Sequence, residues 1–589
     1  MCGIYALFAG RMFRSDAIEK GFDAGVARGP EDTSELLCLE QSESYLNDEY
    51  PDAETWLGFH RLAINGLDRG SGQPMSIGRF TLICNGEIYN YKALAREYDI
   101  KLETDSDCEI IIHLCERIGI EGALHRLHGV FAFVLHERPE DPRQQEQMYL
   151  ARDRYGVRPI YKLSGPTGEI LAVASEGKQL QPLADELDIS CIIHQFEPGT
   201  LCTLVRNSSA SRSVIETVVG DRWQTRQPMH KRFSITASYR PIWPFNWGTD
   251  NEVVNNALRD VYDALDQAVA IRVANCQRPI ACLLSGGLDS SLIAALVSKH
   301  YTEPLETYSI GIEGSKDLEM ARAVAHHIGS THREVTVSTD SMINSIPEVI
   351  RVIESYDTTT VRASVPNWLV CGEISKNSAA KVIFNGDGSD EVTGGYLYTL
   401  LAGSSGAFDN ECRRLLDNIH FYDGLRSDRC ISAWGLEART PFLDTHFVDT
   451  YMSVPFRVRN PRDPHNPLRY EDGLVTPMCE KALLRCAIQK HAPGLLPGSV
   501  LWRRKEAFSD GVSGEKSWFE VIKDALQGYH MRSMGLSCIN PPQTSEQQFY
   551  RDIYDSAYPS APCPIPAFWM PRFVEANDAS ARTLDVYDE

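Results

Sequence analysis

Residues 279–297 constrain the fold more than any other stretch. Pro279-Ile-Ala-Cys-Leu-Leu284 is an apolar run, Ser285-Gly286-Gly287-Leu288-Asp289-Ser290-Ser291 is a glycine turn, and Leu292 to Val297 has helical character. A strand that enters a glycine turn and leaves as a helix presents unpaired backbone N–H groups at the helix start, which form a cradle for an anion. The turn lacks the Gly-Lys-Ser/Thr ending of a Walker A loop that reaches terminal phosphates. A lone Gly-Gly would merely join strand to helix, but Ser-Gly-Gly-x-Asp-Ser-Ser is a longer and more specific pattern. Its surroundings read as a parallel α/β domain: helical spacing from Asn251 to Arg272 and strand-like runs at Ile280–Leu284, Thr307–Ile312 and Lys381–Phe384, with helical segments between them.

One hydrophobic core stops growing beyond roughly 250–300 residues, so a chain of 589 residues requires more than one domain. From Met1 to about Val205, β-rich runs such as Phe80–Cys84 and Val130–Leu135 alternate with turn clusters and a few helical stretches, as in a sheet-rich domain. Ser, Arg, Pro and Trp without periodicity follow up to about Asp250, which suits a connector. The expected organisation is a first domain at 2–205, a linker at 206–250, a second domain at 251–560 and a tail at 561–589. Beyond Pro541 no clean periodicity is found.

A formal charge of −22 argues against a nucleic-acid partner, which requires a basic face. With 43% hydrophobic residues and no long apolar run, a membrane span is not expected. The start, Met-Cys-Gly-Ile-Tyr-Ala-Leu-Phe, lacks the basic segment and apolar length of a secretory signal, so the expected location is cytoplasmic. The sixteen cysteines then read as reduced thiols, and without a Cys-x-x-Cys pair a structural zinc is not expected.

Cys2 follows the initiator Met, and its small neighbour Gly3 leaves it open to becoming the first residue. A free α-amine, with a pKa of roughly 7.7–8.0, would then sit beside a thiol of about 8.5 and could act as its base. A cysteine at position two is usually an accident, but this one has company: Arg28-Gly29-Pro30, Arg61 in Phe-His-Arg-Leu-Ala-Ile, Cys84-Asn85-Gly86-Glu87-Ile88-Tyr89-Asn90, Asp107 in Thr-Asp-Ser-Asp-Cys-Glu, and Arg152-Asp153 before Tyr155-Gly156. Together these resemble the N-terminal-nucleophile amidotransferases. The resemblance implies that Cys2 attacks the amide of glutamine, that Arg61 binds the glutamine carboxylate, that Asp107 with Glu87 holds its ammonium, and that Asn85 and Gly86 form the oxyanion hole. Taken singly, Asn85-Gly86 could be a hairpin turn and Arg61 a surface ion pair.

The Ser285–Ser291 turn resembles the pyrophosphate loop of enzymes that split ATP into AMP and pyrophosphate. Further segments narrow this: Tyr308-Ser-Ile-Gly-Ile, Ser315-Lys-Asp317-Leu318, Tyr356-Asp357-Thr358-Thr359-Thr360-Val361-Arg362-Ala363-Ser364, Arg439-Thr-Pro-Phe-Leu-Asp444 and Trp502-Arg-Arg-Lys505-Glu-Ala-Phe-Ser-Asp-Gly511. From Cys2 to Ala581-Arg582-Thr583-Leu584 the chain is similar to the eukaryotic-type, glutamine-hydrolysing asparagine synthetases. The fold class implied is mixed α/β and α+β, an N-terminal-nucleophile sandwich joined to a parallel α/β synthetase domain of the ATP pyrophosphatase type. By the same resemblance Leu284, Ser285, Gly286, Gly287, Asp289, Ser290, Ile310, Asn385 and Gly386 bind ATP, Thr359 and Arg362 lie near aspartate, Asp289 and Asp317 hold Mg2+ that enters with ATP, and Lys505 meets the phosphates. Ammonia would pass from Cys2 to an aspartyl adenylate. The substrates implied are aspartate, glutamine and ATP, and a homodimer is compatible with the family.

One segment departs from the pattern. Where the family usually has Ser-Gly-Glu-Gly-Ser-Asp-Glu, this chain reads Asn385-Gly386-Asp387-Gly388-Ser389-Asp390-Glu391, so Asp387 stands at a catalytic position with a shorter acid. The rivals are an amidotransferase of this architecture acting on another carboxylate, a relative of β-lactam synthetase, and a non-catalytic nucleotide-binding relative. Cys2, Asp289 and Lys505 are all present, which favours the working enzyme.

Overall fold

Alternation along Gly3–Leu7 dictates the architecture of the first half. Ile4 and Ala6 face one side of the strand, Tyr5 and Leu7 the other, and all are buried, so both faces need a cover. In the computed structural model this strand lies inside an antiparallel sheet ordered Ile192–Gln195, Tyr161–Ser164, Ile170–Ala174, Gly3–Leu7, Ala53–Arg61, Asp32–Leu39. A second antiparallel sheet runs Trp223–Thr225, Thr200–Arg206, Gln147–Arg152, Gly129–Glu137, Phe80–Ile88, Met75–Ile77. Ile4, Ala6, Leu57 and Phe59 of the first sheet meet Ile83, Val134, Met148 and Leu150 of the second in a shared core. The outer faces are covered by helices, Ser15–Asp23 and Gln181–Glu186 on the first sheet, Tyr91–Glu97 and Glu109–Arg126 on the second. The result is a helix–sheet–sheet–helix sandwich.

The structure describes residues 1–8, 12–39, 53–139, 141, 144–166, 168–187, 190–206, 223–225, 231–232, 251–469, 479–506, 508–512, 516–532, 539–559, 565–576 and 578–579. Most of the expected linker at 206–250, and the Ala581–Leu584 motif in the tail, lie outside them. Within that linker, Trp223–Thr225 and Lys231–Arg232 are short strands that pair with Thr200–Arg206, a role too brief to leave a periodic signal.

Two compact units emerge, one of Met1–Ile235 with Ser432–Leu436 and Tyr554–Pro564, the other of Thr236–Ile431, Glu437–Ile553 and Ile565–Glu589. The second stretch expected as one domain, 251–560, is therefore not contiguous, because two short segments group with the first unit. The second unit is built on a parallel sheet ordered Thr331–Thr336, Glu306–Gly311, Ile280–Leu283, Val382–Phe384, Glu437–Arg439. Its strand order reverses between Ile280–Leu283 and Val382–Phe384, whose chain neighbours leave to opposite sides. The crevice beyond the carboxyl ends of two such strands is where open α/β sheets bind ligands. The helix Ser545–Ala557 is a further element, in a region without clean periodicity. Its buried stripe is carried by Tyr550 and Tyr554, one turn apart, rather than by aliphatic residues.

Candidate active sites

In the first unit, strand register brings Cys2 to its neighbours. Gly3 pairs with His60, so Cys2 stands beside the end of the strand Ala53–Arg61, and the Leu62 amide donates to the Cys2 Sγ at 3.5 Å. The Arg28 Nε donates to the Cys2 carbonyl at 3.0 Å. Met1 is present and buried, with its ammonium donating to the Leu436 carbonyl at 3.0 Å. The Cys2 nitrogen is therefore an amide, and an amide nitrogen is no base; the amine chemistry requires removal of Met1.

Asn85 and Gly86 lie in the strand Phe80–Ile88, opposite Ala132 and Phe131. Asn85 is 1% exposed and its Nδ2 has no hydrogen-bond partner. An unmatched buried amide costs about 1–3 kcal/mol, and a substrate oxygen would relieve it. Gly86 cannot be enlarged cheaply, because a Cβ would stand 2.7 Å from the Val130 carbonyl. Arg61 is buried and donates to the Gly66 carbonyl. The Glu87 carboxylate accepts from Asn65 Nδ2 at 2.7 Å and the Asp107 carboxylate from the Ile88 amide at 2.5 Å. Asn65 was not legible as a site residue, since nothing in its sequence context separates it from an ordinary turn asparagine. The Arg152-Asp153 pair is architectural: Asp153 accepts from the amides of Phe131, Tyr155, Val157 and Arg158, while Arg152 caps the Gly156, Arg158 and Phe196 carbonyls.

In the second unit the glycine turn departs from Ile280–Leu283 into the helix Leu288–His300. Gly286 has φ of +72°, and a Cβ there would lie 2.5 Å from the Ala321 amide, so only glycine fits. Ser285 Oγ and Ser290 Oγ tie the turn together at 2.9 Å. The loop after Val382–Phe384 meets it directly: a Cβ on Gly386 would lie 2.8 Å from the Asp289 Cβ, and Ser389 Oγ donates to Asp289 at 2.8 Å. One cavity is lined by Leu284, Ser285, Asp289, Ser290, Ile310, Thr359, Arg362, Asn385, Gly386, Asp387 and Lys505. An adjoining cleft takes in Ser285, Gly287, Asp289, Ser290, Asp317, Lys481, Arg503 and Lys505. Gly286 lines neither and shapes the turn instead.

Charge is concentrated where the two clefts meet. Lys481 Nζ lies 2.6 Å from each oxygen of Asp289 and 2.6 Å from Asp390 Oδ1. Lys505 Nζ donates to Asp390 Oδ2 at 2.5 Å and is 3.7 Å from Asp289. Burial would raise the Asp390 pKa, but the two ammonium groups hold it well below the ordinary range. Lys481 was missed in the sequence; it sits just before the apolar helix Ala482–His491 and carries no motif. Burial pushes Asp317 up to about 6, against the pull of Arg503, whose Nη2 is 2.9 Å away. Among the described residues no group of three or more His, Cys, Asp or Glu is poised around a metal. Mg2+ is commonly held by one or two carboxylates together with substrate phosphates, so Asp289 and Asp317 on one cleft fit a metal that arrives with a nucleotide.

The remaining wall carries Asp387, whose Oδ1 accepts from Arg426 Nη2 at 2.5 Å. Arg426 also pairs with Asp423 at 2.7 Å. Asn385 Nδ2 donates to Ser427 Oγ at 2.7 Å, and its Oδ1 accepts from the Asp387 amide at 3.2 Å. Burial raises the Asp387 pKa, with Arg426 opposing. Burial, then Asp423 and Asp390, push Glu391 well above the carboxylate range. Thr359 Oγ1 has no hydrogen-bond partner. Arg362, expected near aspartate, lines the same cavity and is paired with Glu546 and Asp578.

Residues 260–407 and 401–561 match the asparagine synthase family, and residues 1–214 match the glutamine amidotransferase domain. The chain is 38% identical over 602 residues to the glutamine-hydrolyzing asparagine synthetase of Gallus gallus, covering 100% of this chain and 99% of that protein. The namesake of Mus musculus is 38% identical over 612 residues and that of Homo sapiens 36% over 612 residues, each with 100% and 99% coverage.

Proposed function

Because the chain belongs to the glutamine-hydrolysing asparagine synthetase family, we propose that it makes asparagine at two centres, a Cys2 glutaminase and an adenylate-forming site at the strand-order reversal. The overall reaction converts aspartate, glutamine, ATP and water to asparagine, glutamate, AMP and pyrophosphate. The observation that carries the second assignment is the convergence of the Ser285–Ser290 turn, the Asn385–Glu391 loop and Lys505 on one cavity.

At the first centre, removal of Met1 frees the Cys2 amine to take the thiol proton. The thiolate attacks the glutamine amide carbon while Asn85 Nδ2 and the Gly86 amide donate to the oxyanion. The amine returns its proton to the departing ammonia, leaving a thioester that water hydrolyses to glutamate. Arg61 takes the substrate carboxylate as a two-donor fork, and Asp107 with Glu87 takes its ammonium.

At the second centre, the β-carboxylate of aspartate attacks the α-phosphorus of ATP and pyrophosphate leaves. AMP then becomes the leaving group that makes the acyl carbon a usable electrophile. Leu284 and Ile310 flank the nucleotide, the amides from Gly286 to Ser290 cradle phosphate, and Lys505 neutralises charge on the leaving group. Asp289 and Asp317 would hold Mg2+, which supplies further neutralisation of the phosphates. Asp387 accepts the proton from attacking ammonia, and a carboxyl held above its ordinary range by burial is the better base for this. Cys2, Cys84, Cys108 and the other cysteines whose side chains the structure describes are free thiols, and no described helix is long and apolar enough to cross a membrane.

Cys2→Ala tests the division of labour. It should abolish synthesis from glutamine and leave synthesis from ammonium salts. A variant that still used glutamine at the parent rate would refute the assignment of the nucleophile.

A further inference from the structure

Arg362 has little left to offer a substrate carboxylate. Its Nε and Nη2 donate to Glu546 at 2.8 and 2.6 Å, and its Nη1 and Nη2 donate to Asp578 at 2.8 and 2.9 Å. The guanidinium also lies over the Phe519 ring, 4.9 Å from its centre. Burial opposes the charge, yet the two carboxylates hold the Arg362 pKa well above its usual value. Glu546 is fixed in turn by the Tyr550 hydroxyl at 2.7 Å.

Asp578 belongs to a run that crosses the cavity. The Trp569 amide donates to Asp357 at 2.7 Å, its ring packs on Tyr396 and Tyr398 at 5.3 and 6.0 Å, and the Ala567 carbonyl accepts from Tyr422 at 2.8 Å. Trp569, Pro571 and Ala579 line the same cavity as Ser285 and Lys505.

We propose that residues 565–576 and 578–579 are part of the synthetase centre: Asp578 is a positioning residue that latches them onto Arg362, and Trp569 is the wall they place against the adenylate. The inference rests on the assignment of this cavity to aspartate activation. An acyl adenylate is open to attack by water as well as by ammonia. Attack by water breaks the same acyl–oxygen bond and returns aspartate and AMP, so one ATP is converted to AMP and pyrophosphate with no asparagine formed. A wall of Trp569 and Pro571 excludes that water, and Arg362 serves the reaction by anchoring the wall rather than by touching substrate.

The test uses the full chain with saturating ammonium, measuring pyrophosphate and asparagine together with the aspartate KM. Asp578→Ala should raise pyrophosphate per asparagine about threefold and lower the asparagine rate about tenfold, with the aspartate KM within about twofold of the parent. Asp578→Glu should restore the ratio, and glutaminase activity should hold throughout. If Asp578→Ala fails to accumulate, Trp569→Leu, which leaves the latch intact, should show the same rise. A parent-like ratio in the accumulating variant, or a shift confined to the aspartate KM, would overturn the proposal. A parent protein that released no pyrophosphate with aspartate would instead refute the underlying assignment before any variant was compared.

Discussion

The Lys481 ammonium sits 2.6 Å from both carboxylate oxygens of Asp289 and is 1% exposed. Removing one partner of a buried ion pair leaves an uncompensated charge and typically costs about 3–5 kcal/mol. Here two carboxylates, Asp289 and Asp390, would be left with Lys505 alone. Lys481→Met should lower the thermal stability of the second unit and abolish pyrophosphate formation while the first unit still hydrolyses glutamine. Calorimetry and a glutaminase assay check this; a variant with the parent rate of pyrophosphate release would remove Lys481 from the site.

The Asn85 amide predicts a second separation of activities. Loss of one oxyanion donor commonly costs about a hundredfold to a thousandfold in kcat. Asn85→Ala should lose glutamine hydrolysis on that scale and keep ammonium-dependent synthesis. Steady-state rates with each nitrogen source decide it, and an unchanged glutaminase kcat would mean that the unpaired Nδ2 has a packing role only.

Much of this was legible because each local pattern needed only a short stretch of chain. The apolar run and glycine turn lead into a helix, Leu288–His300, longer than the expected Leu292–Val297, and the runs expected at Phe80–Cys84 and Val130–Leu135 lie within the strands Phe80–Ile88 and Gly129–Glu137. What stayed hidden depends on contacts far apart in sequence. The strand Glu437–Arg439 is buried although two of its three residues are charged, because Arg439 and Glu437 pair with each other at 2.8 Å. The edge strand Thr331–Thr336 is mostly polar, with four of its six residues exposed and none buried, as edges commonly are. Arg362 could be found from its motif, but the two carboxylates that occupy it lie 184 and 216 residues away.

The shorter acid at Asp387 is accommodated rather than stranded. Arg426 meets its Oδ1 at 2.5 Å, and Asn385 reaches Ser427 at 2.7 Å, a span a serine could not cover. A glutamate would carry the carboxylate past the position that Arg426 holds on this half-buried cavity wall, and a misplacement of about 1 Å can cost roughly a hundredfold in rate. Asp387→Glu should therefore reduce asparagine formation, and Asn385→Ser with Asp387→Glu should lose less than the two changes summed. Asp387→Ala should lose about a hundredfold and spare glutaminase. Asparagine, pyrophosphate and glutamate are measured for each; an Asp387→Ala protein equal to the parent in all of them would deny the residue any catalytic part.

Asp357 caps the helix Thr358–Asn377 and also receives the Trp569 amide. Burial pushes its pKa up to about 6, against the pull of those hydrogen bonds, compared with about 3.9 in an unfolded chain. The native state thus binds more protons than the unfolded state between these values, so this group's contribution to stability falls as pH rises through the window and is flat above it. Asp357→Asn removes the titration. The stability difference between parent and variant should shift by about 1 kcal/mol in favour of the variant from pH 5 to 6 and stay constant above pH 7. Thermal midpoints across that range test it, and a pH-independent difference would contradict the raised pKa.

The most direct test of the two-centre account is one reaction of the purified chain with aspartate, ATP, magnesium and glutamine carrying heavy nitrogen in its amide, followed by mass analysis of the amino acids and chromatography of the nucleotides. The account predicts asparagine with the heavy nitrogen in its side-chain amide, accompanied by AMP and pyrophosphate. Unlabelled asparagine, or ADP with inorganic phosphate in its place, would contradict it.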